Sequence, residues 1–166
     1  MTLGNNRIEK ITSAASGSVF ASTGLSNPIG LAFDSAGNLY TAIFSNNTIE
    51  KFTSTGGVLS STGSVFTSSG VNNPVSLAFD SAGNLYLANG GNNTIEEYAS
   101  TGGVLSSSGT VFANSTNGVS SNPRYLAFTD DAGVPLPLAN QAPEPASIAL
   151  LGLGAVLLAA RRRRNV

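Results

Sequence analysis

A repeat governs what this chain can fold into. Residues 27–66 align without gaps on residues 73–112 at an offset of 46, and 29 of the 40 aligned positions are identical. Partial copies flank this pair, one before residue 27 and one that begins at residue 122. A period of this size indicates an array of similar structural units.

Each complete unit has the pattern of four short strands. The pattern predicts strands over residues 29–33, 39–43, 48–53 and 64–67, with equivalents 46 residues later. Val, Ile, Phe, Tyr and Thr favour strands, and the Asp-Ser-Ala-Gly-Asn segment between the first two strands favours a hairpin turn. Four strands per unit, at a period of roughly 40–50 residues, indicate the blades of a β-propeller. The predicted fold class is therefore all-β.

The number of strands falls short of a closed propeller. We predict 11 strands, which make about 2.75 blades: two strands in a first unit, four in each of the next two, and one in a fourth. Propellers typically close with roughly four to eight blades. We therefore expect a fragment of a longer protein, with two exposed sheet edges. The first ten residues also lack the apolar core of a signal peptide.

The chain divides into three predicted parts. The first is the repeat domain, residues 1–129, and it is followed by a linker over residues 130–142 and a C-terminal segment over residues 143–166. Within the repeat domain the units cover about residues 1–26, 27–72 and 73–121, with a partial unit over 122–129.

Composition excludes several kinds of site. The chain has no histidine and no cysteine, which excludes imidazole and thiol catalysis, thiolate zinc sites and disulfides. Residues 1–142 carry four basic and eight acidic side chains, so they lack the clustered cations that nucleic acid requires. We predict no catalytic residue, no metal site, no bound cofactor and no nucleic-acid partner.

Several carboxylates recur with the repeat. Asp34 and Asp80 lie in identical turns, where an aspartate accepts backbone N–H groups; a calcium or substrate ligand is the alternative. Repetition in the third strand of each unit favours a structural or solvated position for the others. These are Glu9, Glu50, Glu96 and the adjacent Glu97.

Two further features stand out along the repeat domain. Phe44 breaks the repeat, since Gly90 occupies the equivalent position. We interpret Phe44 as packing specific to its unit, and an exposed ligand platform is the alternative. The glycosylation-like sequons that begin at Asn46, Asn92 and Asn114 are interpreted as loop and turn residues.

The C-terminal segment joins an apolar run to a basic end. Residues 146–160 carry no charge, and four arginines follow directly: Arg161, Arg162, Arg163 and Arg164. Fifteen helical residues reach about 22 Å, less than the roughly 30 Å hydrocarbon core. Arginine snorkelling and the positive-inside rule nevertheless favour a transmembrane helix with a cytoplasmic C-terminus. A hydrophobic helix packed on the repeat domain is the alternative.

The repeat domain resembles the NHL-type β-propeller repeat, which includes bacterial surface proteins and the virginiamycin B lyase group. The residues that carry the resemblance are NPIGLAFDSAGNLYTA with NNTIEKF, and NPVSLAFDSAGNLYLA with NNTIEEY. The resemblance implies a propeller fold. The histidines that the lyase group requires have no counterpart in this sequence.

The C-terminal segment closely resembles the PEP-CTERM sorting signal. The motif is Pro143, Glu144 and Pro145, the apolar span follows, and the arginines form the basic end. The resemblance implies recognition by an exosortase-type protease, with cleavage near the motif. It also implies that the protein is first inserted in the inner membrane. After processing, the protein is then at the cell surface or is released from the cell.

Taken together, these features predict an exported surface or envelope scaffold. The lipid membrane and an exosortase are its expected partners, and its expected ligand is extracellular polysaccharide or another surface protein, as in a biofilm matrix. One alternative is a propeller hydrolase or lyase whose catalytic residues lie in missing blades. A further alternative is an ice-binding surface protein built on Thr- and Ser-rich strands.

Overall fold

The computed structural model of the chain describes residues 6–119 and 121–128, and in these ranges it contains strands and no helix. The first unit contributes β1 (Ile8–Ile11) and β2 (Gly17–Ala21). The second unit contributes β3 (Pro28–Phe33), β4 (Leu39–Ile43), β5 (Thr48–Phe52), β6 (Ser54–Thr55), β7 (Val58–Leu59) and β8 (Ser64–Thr67). The third unit contributes β9 (Pro74–Phe79), β10 (Leu85–Asn89), β11 (Thr94–Tyr98), β12 (Ser100–Thr101), β13 (Val104–Leu105) and β14 (Thr110–Ala113).

Each complete unit forms a four-stranded antiparallel sheet, as the sequence predicts. The strand orders are β3-β4-β5-β8 and β9-β10-β11-β14, and β1 and β2 pair as the outer strands of the first unit. The ribbons β6-β7 and β12-β13 were not predicted. Two-residue strands are too short to leave an alternating pattern. Gly56 and Gly57, at φ of 59° and 79°, close the first ribbon in a turn that requires two positive φ angles.

The sheets stack face to face and bury β4 on both sides. Alternate side chains of a strand point to opposite faces, so Leu39 and Ile43 pack toward the first unit while Tyr40 and Ala42 pack toward the third. All five residues of β4 are buried. Each large apolar side chain buried in this way contributes roughly 1.5–3 kcal/mol to folding. The apolar core therefore lies between units, so each unit depends on its neighbours.

The first strands of successive units lie side by side. A Cβ atom on Gly30 of β3 would lie 3.0 Å from the Cα of Ser76 in β9. Only glycine permits this approach of the two backbones. The units therefore converge at their first strands, which is the geometry of propeller blades around an axis.

The predicted eleventh strand is not formed, because residues 123–128 have no regular secondary structure. The segment nevertheless lies where the first strand of a fourth unit would lie. Phe128 packs on Tyr86 with ring centroids 4.9 Å apart, as Phe79 packs on Tyr40 at 5.3 Å. Within the described ranges no second strand lies beside the segment. A strand exists only through hydrogen bonds to such a partner, so the prediction fails here.

The described residues contain no helix that is long and apolar enough to span a membrane. The predicted linker, the apolar span over residues 146–160 and the basic end lie outside the described residues, as does the Pro143-Glu144-Pro145 motif.

Candidate ligand cavity

The same hydrogen bond ties each unit to the next. An asparagine side chain in one unit accepts the backbone N–H of an asparagine in the following unit, at 2.6–2.9 Å. The acceptor and donor pairs are Asn6 with Asn27, Asn47 with Asn73, and Asn93 with Asn122. All of these except Asn6 have φ between 45° and 59°, a left-handed conformation that asparagine tolerates better than most residues. Asparagine therefore serves both the turn and the link.

These links surround a cavity of about 490 Å³, which opens where three units converge: the second, the third and the partial fourth. The starts of β3 and β9, the β4–β5 and β10–β11 turns, and the segment after residue 121 form its walls. Three equivalent asparagines line it, Asn27, Asn73 and Asn122. A cavity of this size lies within the roughly 300–1,000 Å³ range of ligand sites.

Some of the positions at which the otherwise similar units differ line the cavity. Ile29, Val75 and Arg124 hold equivalent positions in the three units, and all three residues line the cavity. Phe44 and Gly90 are also equivalent, and both line it. Equivalent residues of the units therefore differ around the cavity, whereas the Asp-Ser-Ala-Gly-Asn turns are identical. The sequence alignment already contained this signal, but only the Phe44 position was singled out from it.

Phe44 is half-buried and lines the cavity. Its N–H donates to the carbonyl oxygen of Asn27 at 3.1 Å, and Gly90 makes the same bond to Asn73 at 3.0 Å. The backbone is thus shared and only the side chain differs. A Cβ atom on Gly90 would lie 2.9 Å from Oδ1 of Asn122, so a side chain there would require the Asn122 amide to shift.

The charge at the cavity is positive and unpaired. Arg124 is exposed on the lining and has no ion pair among residues 6–119 and 121–128. Among the residues that the structure describes, none on the lining is a carboxylate. Tyr125, beside it, is 90% exposed. The cavity therefore combines amides, aromatic rings and one guanidinium.

The turn aspartates serve the backbone, as the sequence predicts. Oδ1 of Asp34 accepts the N–H groups of Ala36 at 3.0 Å and Asn38 at 2.9 Å. The amide Nδ2 of Asn38 donates to Oδ2 of Asp34 at 2.7 Å, and its Oδ1 accepts the N–H of Ser54 at 2.8 Å. Asp80 repeats this arrangement in the third unit. The sequon asparagines Asn46, Asn92 and Asn114 lie in or at the start of turns, also as predicted.

The repeated glutamates divide between the two predicted kinds of position. Glu9 is exposed and pairs with Arg7 at 2.6 Å, whereas Glu50 and Glu96 are buried between units at 6% and 4% exposure. Burial raises the pKa of both Glu50 and Glu96, because it removes water from the charged form. In the part of the chain that the structure describes, no three carboxylates come close enough to hold a metal ion together.

Residues 141–164 match the PEP-CTERM protein-sorting motif. The chain carries a PEP-CTERM sorting signal. A protein with this signal is exported, anchored in the membrane and processed by an exosortase at the cell envelope. No curated protein matches the chain in sequence.

Solved structures confirm the propeller fold of the repeat domain. An X-ray structure described as a gluconolactonase aligns over 80% of this chain and 42% of its own, with a TM-score of 0.58 and 16% identity. A gluconolactonase of Xanthomonas campestris aligns over 79% of this chain and 40% of its own, with a TM-score of 0.56 and 21% identity. The chain thus spans about two fifths of the length of these proteins. At such identities the likeness shows the fold alone.

Proposed function

We propose that the repeat domain is a ligand-binding propeller scaffold that the sorting signal delivers to the cell surface or envelope. The ligand lies in the cavity where the three units converge. In this proposal residues 146–160 form the membrane span and the four arginines that follow remain in the cytoplasm. The exosortase acts near Pro143, Glu144 and Pro145, which sets the repeat domain outside the cytoplasm.

One observation carries the binding role, the divergence of the units around the cavity. The turns and the Asn links, which order and join the units, are the same in each unit. The cavity instead brings together unlike side chains, Ile29, Val75, Arg124 and Phe44, at positions that the repeat makes equivalent. Ligand sites combine apolar walls with a few polar groups that fix orientation, and this lining has both.

The test measures how the full 166-residue chain, in detergent micelles, binds extracellular polysaccharide coupled to a sensor surface. The Phe44→Ala variant should weaken binding by about fivefold or more, because aromatic residues supply much of the contact energy in binding sites. Phe33→Ala is the matched control. Phe33 is 61% exposed and lies at the opposite end of β3 from the cavity. Equal binding by the wild type and Phe44→Ala would count against the proposal.

A lactone hydrolase is the second candidate, and the two gluconolactonase structures favour it. The experiment follows acid release from glucono-lactone in the presence of the chain, with spontaneous hydrolysis in buffer as the baseline. A rate above this baseline that falls in Phe44→Ala supports an enzyme at the cavity. A rate equal to the baseline dismisses this activity for the chain.

A further inference from the structure

We propose that the ligand of the cavity is a saccharide chain that bears carboxylate groups, and that Arg124 binds one of these carboxylates. The inference rests on the proposed function and names its ligand class. It follows from three observations: the state of the cations, the lining of the cavity and the charge of the repeat domain.

The cations of the described residues are not equivalent. Arg7 is paired with Glu9, and Lys51 lies 5.3 Å from the centre of the Tyr40 ring. Arg124 and Lys10 have neither kind of partner within the described ranges, and of these two only Arg124 lies on the cavity lining. A guanidinium is planar and presents paired N–H donors that match the two oxygens of a carboxylate. Arg124 therefore offers a carboxylate site that no residue of the lining fills.

The rest of the lining fits sugar rings. Tyr125 and Phe44 present aromatic surface, and such rings combine a large apolar contact area with defined geometry. The primary amides of Asn27, Asn73 and Asn122 each offer donors and an acceptor, as the hydroxyl groups of a sugar require. The ligand is therefore apolar on one face, rich in hydroxyl groups and negatively charged at one point.

The overall charge argues against a dense polyanion. Residues 1–142 carry eight acidic and four basic side chains. A row of phosphates would meet repulsion from this surface and only one neutralising cation at the cavity. Carboxylates that are spaced along a sugar chain need only one cation per contact. The charge pattern therefore favours an acidic polysaccharide over nucleic acid.

The test uses a xylotetraose that bears a single glucuronic acid residue and, as the uncharged probe, the methyl ester of the same oligosaccharide. Titration calorimetry on the full chain in micelles at low salt should show tighter binding of the acid by about fivefold, the size expected for an exposed charge-assisted contact. Arg124→Gln should abolish this preference, and Arg124→Lys should retain part of it. Lys10→Gln removes the same charge on β1, away from the cavity, and should keep the preference intact.

The outcomes separate this inference from the function beneath it. Equal binding of acid and ester, or a preference that survives in Arg124→Gln, overturns the carboxylate site. If neither probe binds but Phe44→Ala still weakens retention on extracellular polysaccharide, the ligand class is wrong and the scaffold role stands. If Phe44→Ala changes nothing, the scaffold role fails as well. Circular dichroism checks that Arg124→Gln is folded. If it is not, Arg124→Lys provides the test. A preference for the acid that is as strong in Arg124→Lys as in the control Lys10→Gln overturns the inference.

Discussion

The interface between the first and second units and the interface between the second and third share one backbone design. They differ in chemistry at their centres. In the first interface Ile43 and Phe52 are fully buried and apolar. In the second interface Asn89 and Tyr98 take the equivalent positions and are buried to the same degree. The third unit therefore brings polar atoms to a place where the second unit has only carbon.

Hydrogen bonds satisfy the buried polar atoms of the second interface. The Nδ2 of Asn89 donates to the carbonyl oxygen of Gly70 at 2.7 Å, and its Oδ1 accepts the N–H of Asn72 at 2.9 Å. The hydroxyl of Tyr98 donates to the carbonyl oxygen of Ser69 at 2.7 Å. The side chains of Asn89 and Tyr98 thus hold the loop that leads to β9.

The first interface shows the cost of lacking this network. The Oγ1 of Thr48 is buried and has no hydrogen-bond partner among the described residues. Its equivalent, Thr94, accepts a hydrogen bond from the side-chain amide of Asn89 at 3.1 Å. Ile43, which takes the place of Asn89 in the second unit, has no side-chain amide that could donate to Thr48. The comparison teaches that one blade fold accepts either an apolar or a hydrogen-bonded interface. The polar form is the more sensitive to change, because each lost bond leaves a buried group unpaired.

The largest expected effect comes from Asn89→Leu. This change removes three hydrogen bonds and leaves the backbone groups of Gly70 and Asn72 without their partner, so we expect a loss of about 3 kcal/mol of stability. Ile43→Leu is the control at the equivalent position and should cost less than about 1.5 kcal/mol. Urea unfolding followed by circular dichroism measures both. Similar losses of stability in the two variants would show that the hydrogen bonds of Asn89 contribute little beyond the packing of its side chain.

A smaller effect is expected from Gly30→Ala. The new Cβ would meet the backbone of Ser76 at 3.0 Å, where no flexible side chain can yield, so we expect a loss of about 2 kcal/mol. Gly17→Ala is the control, since a Cβ there meets nothing within 4 Å. The same unfolding measurement compares the two variants. If both variants lose the same stability, the close approach of β3 and β9 does not contribute to holding the units together.

The strands could be predicted from the sequence because the repeat supplied two independent copies of each pattern. β4 was predicted with its observed bounds, Leu39–Ile43, and the other strands of its sheet to within one residue. The strand after residue 122 was not, because a sequence pattern does not report whether a pairing partner is present. Phe128 reproduces the packing of Phe79 without the ladder that makes Phe79 part of a strand.

The cavity was not predicted from the sequence. Its residues come from three units and meet only through the stacking of the units, so no local pattern marks them. Arg124 and Tyr125 belong to the partial unit, where the alignment shows that they differ from the complete units but not that they lie beside Phe44. Phe44 was visible because it interrupts a complete pair of copies. Divergence between equivalent positions was therefore the useful signal, and it needed the structure to show that the divergent positions are neighbours.

The smallest expected effect concerns the buried glutamates, which differ between the two interfaces. Burial raises the pKa of Glu50 and of Glu96, but a hydrogen bond from Thr94 at 3.4 Å partly opposes the rise in the pKa of Glu96. A carboxyl whose pKa is higher in the folded state stabilises the fold fully below its unfolded value. That stability is lost as pH rises through the folded pKa.

Stability should therefore increase as pH falls from 7 toward 4.5, the ordinary value for these carboxyls. Glu50→Gln should flatten this pH dependence more than Glu96→Gln, and Glu9→Gln at the exposed equivalent serves as the control. Urea midpoints across this pH range provide the measurement. If the urea midpoint changes equally with pH in all three variants, the pH dependence of stability comes from groups other than Glu50 and Glu96. The two interfaces then do not differ in this respect.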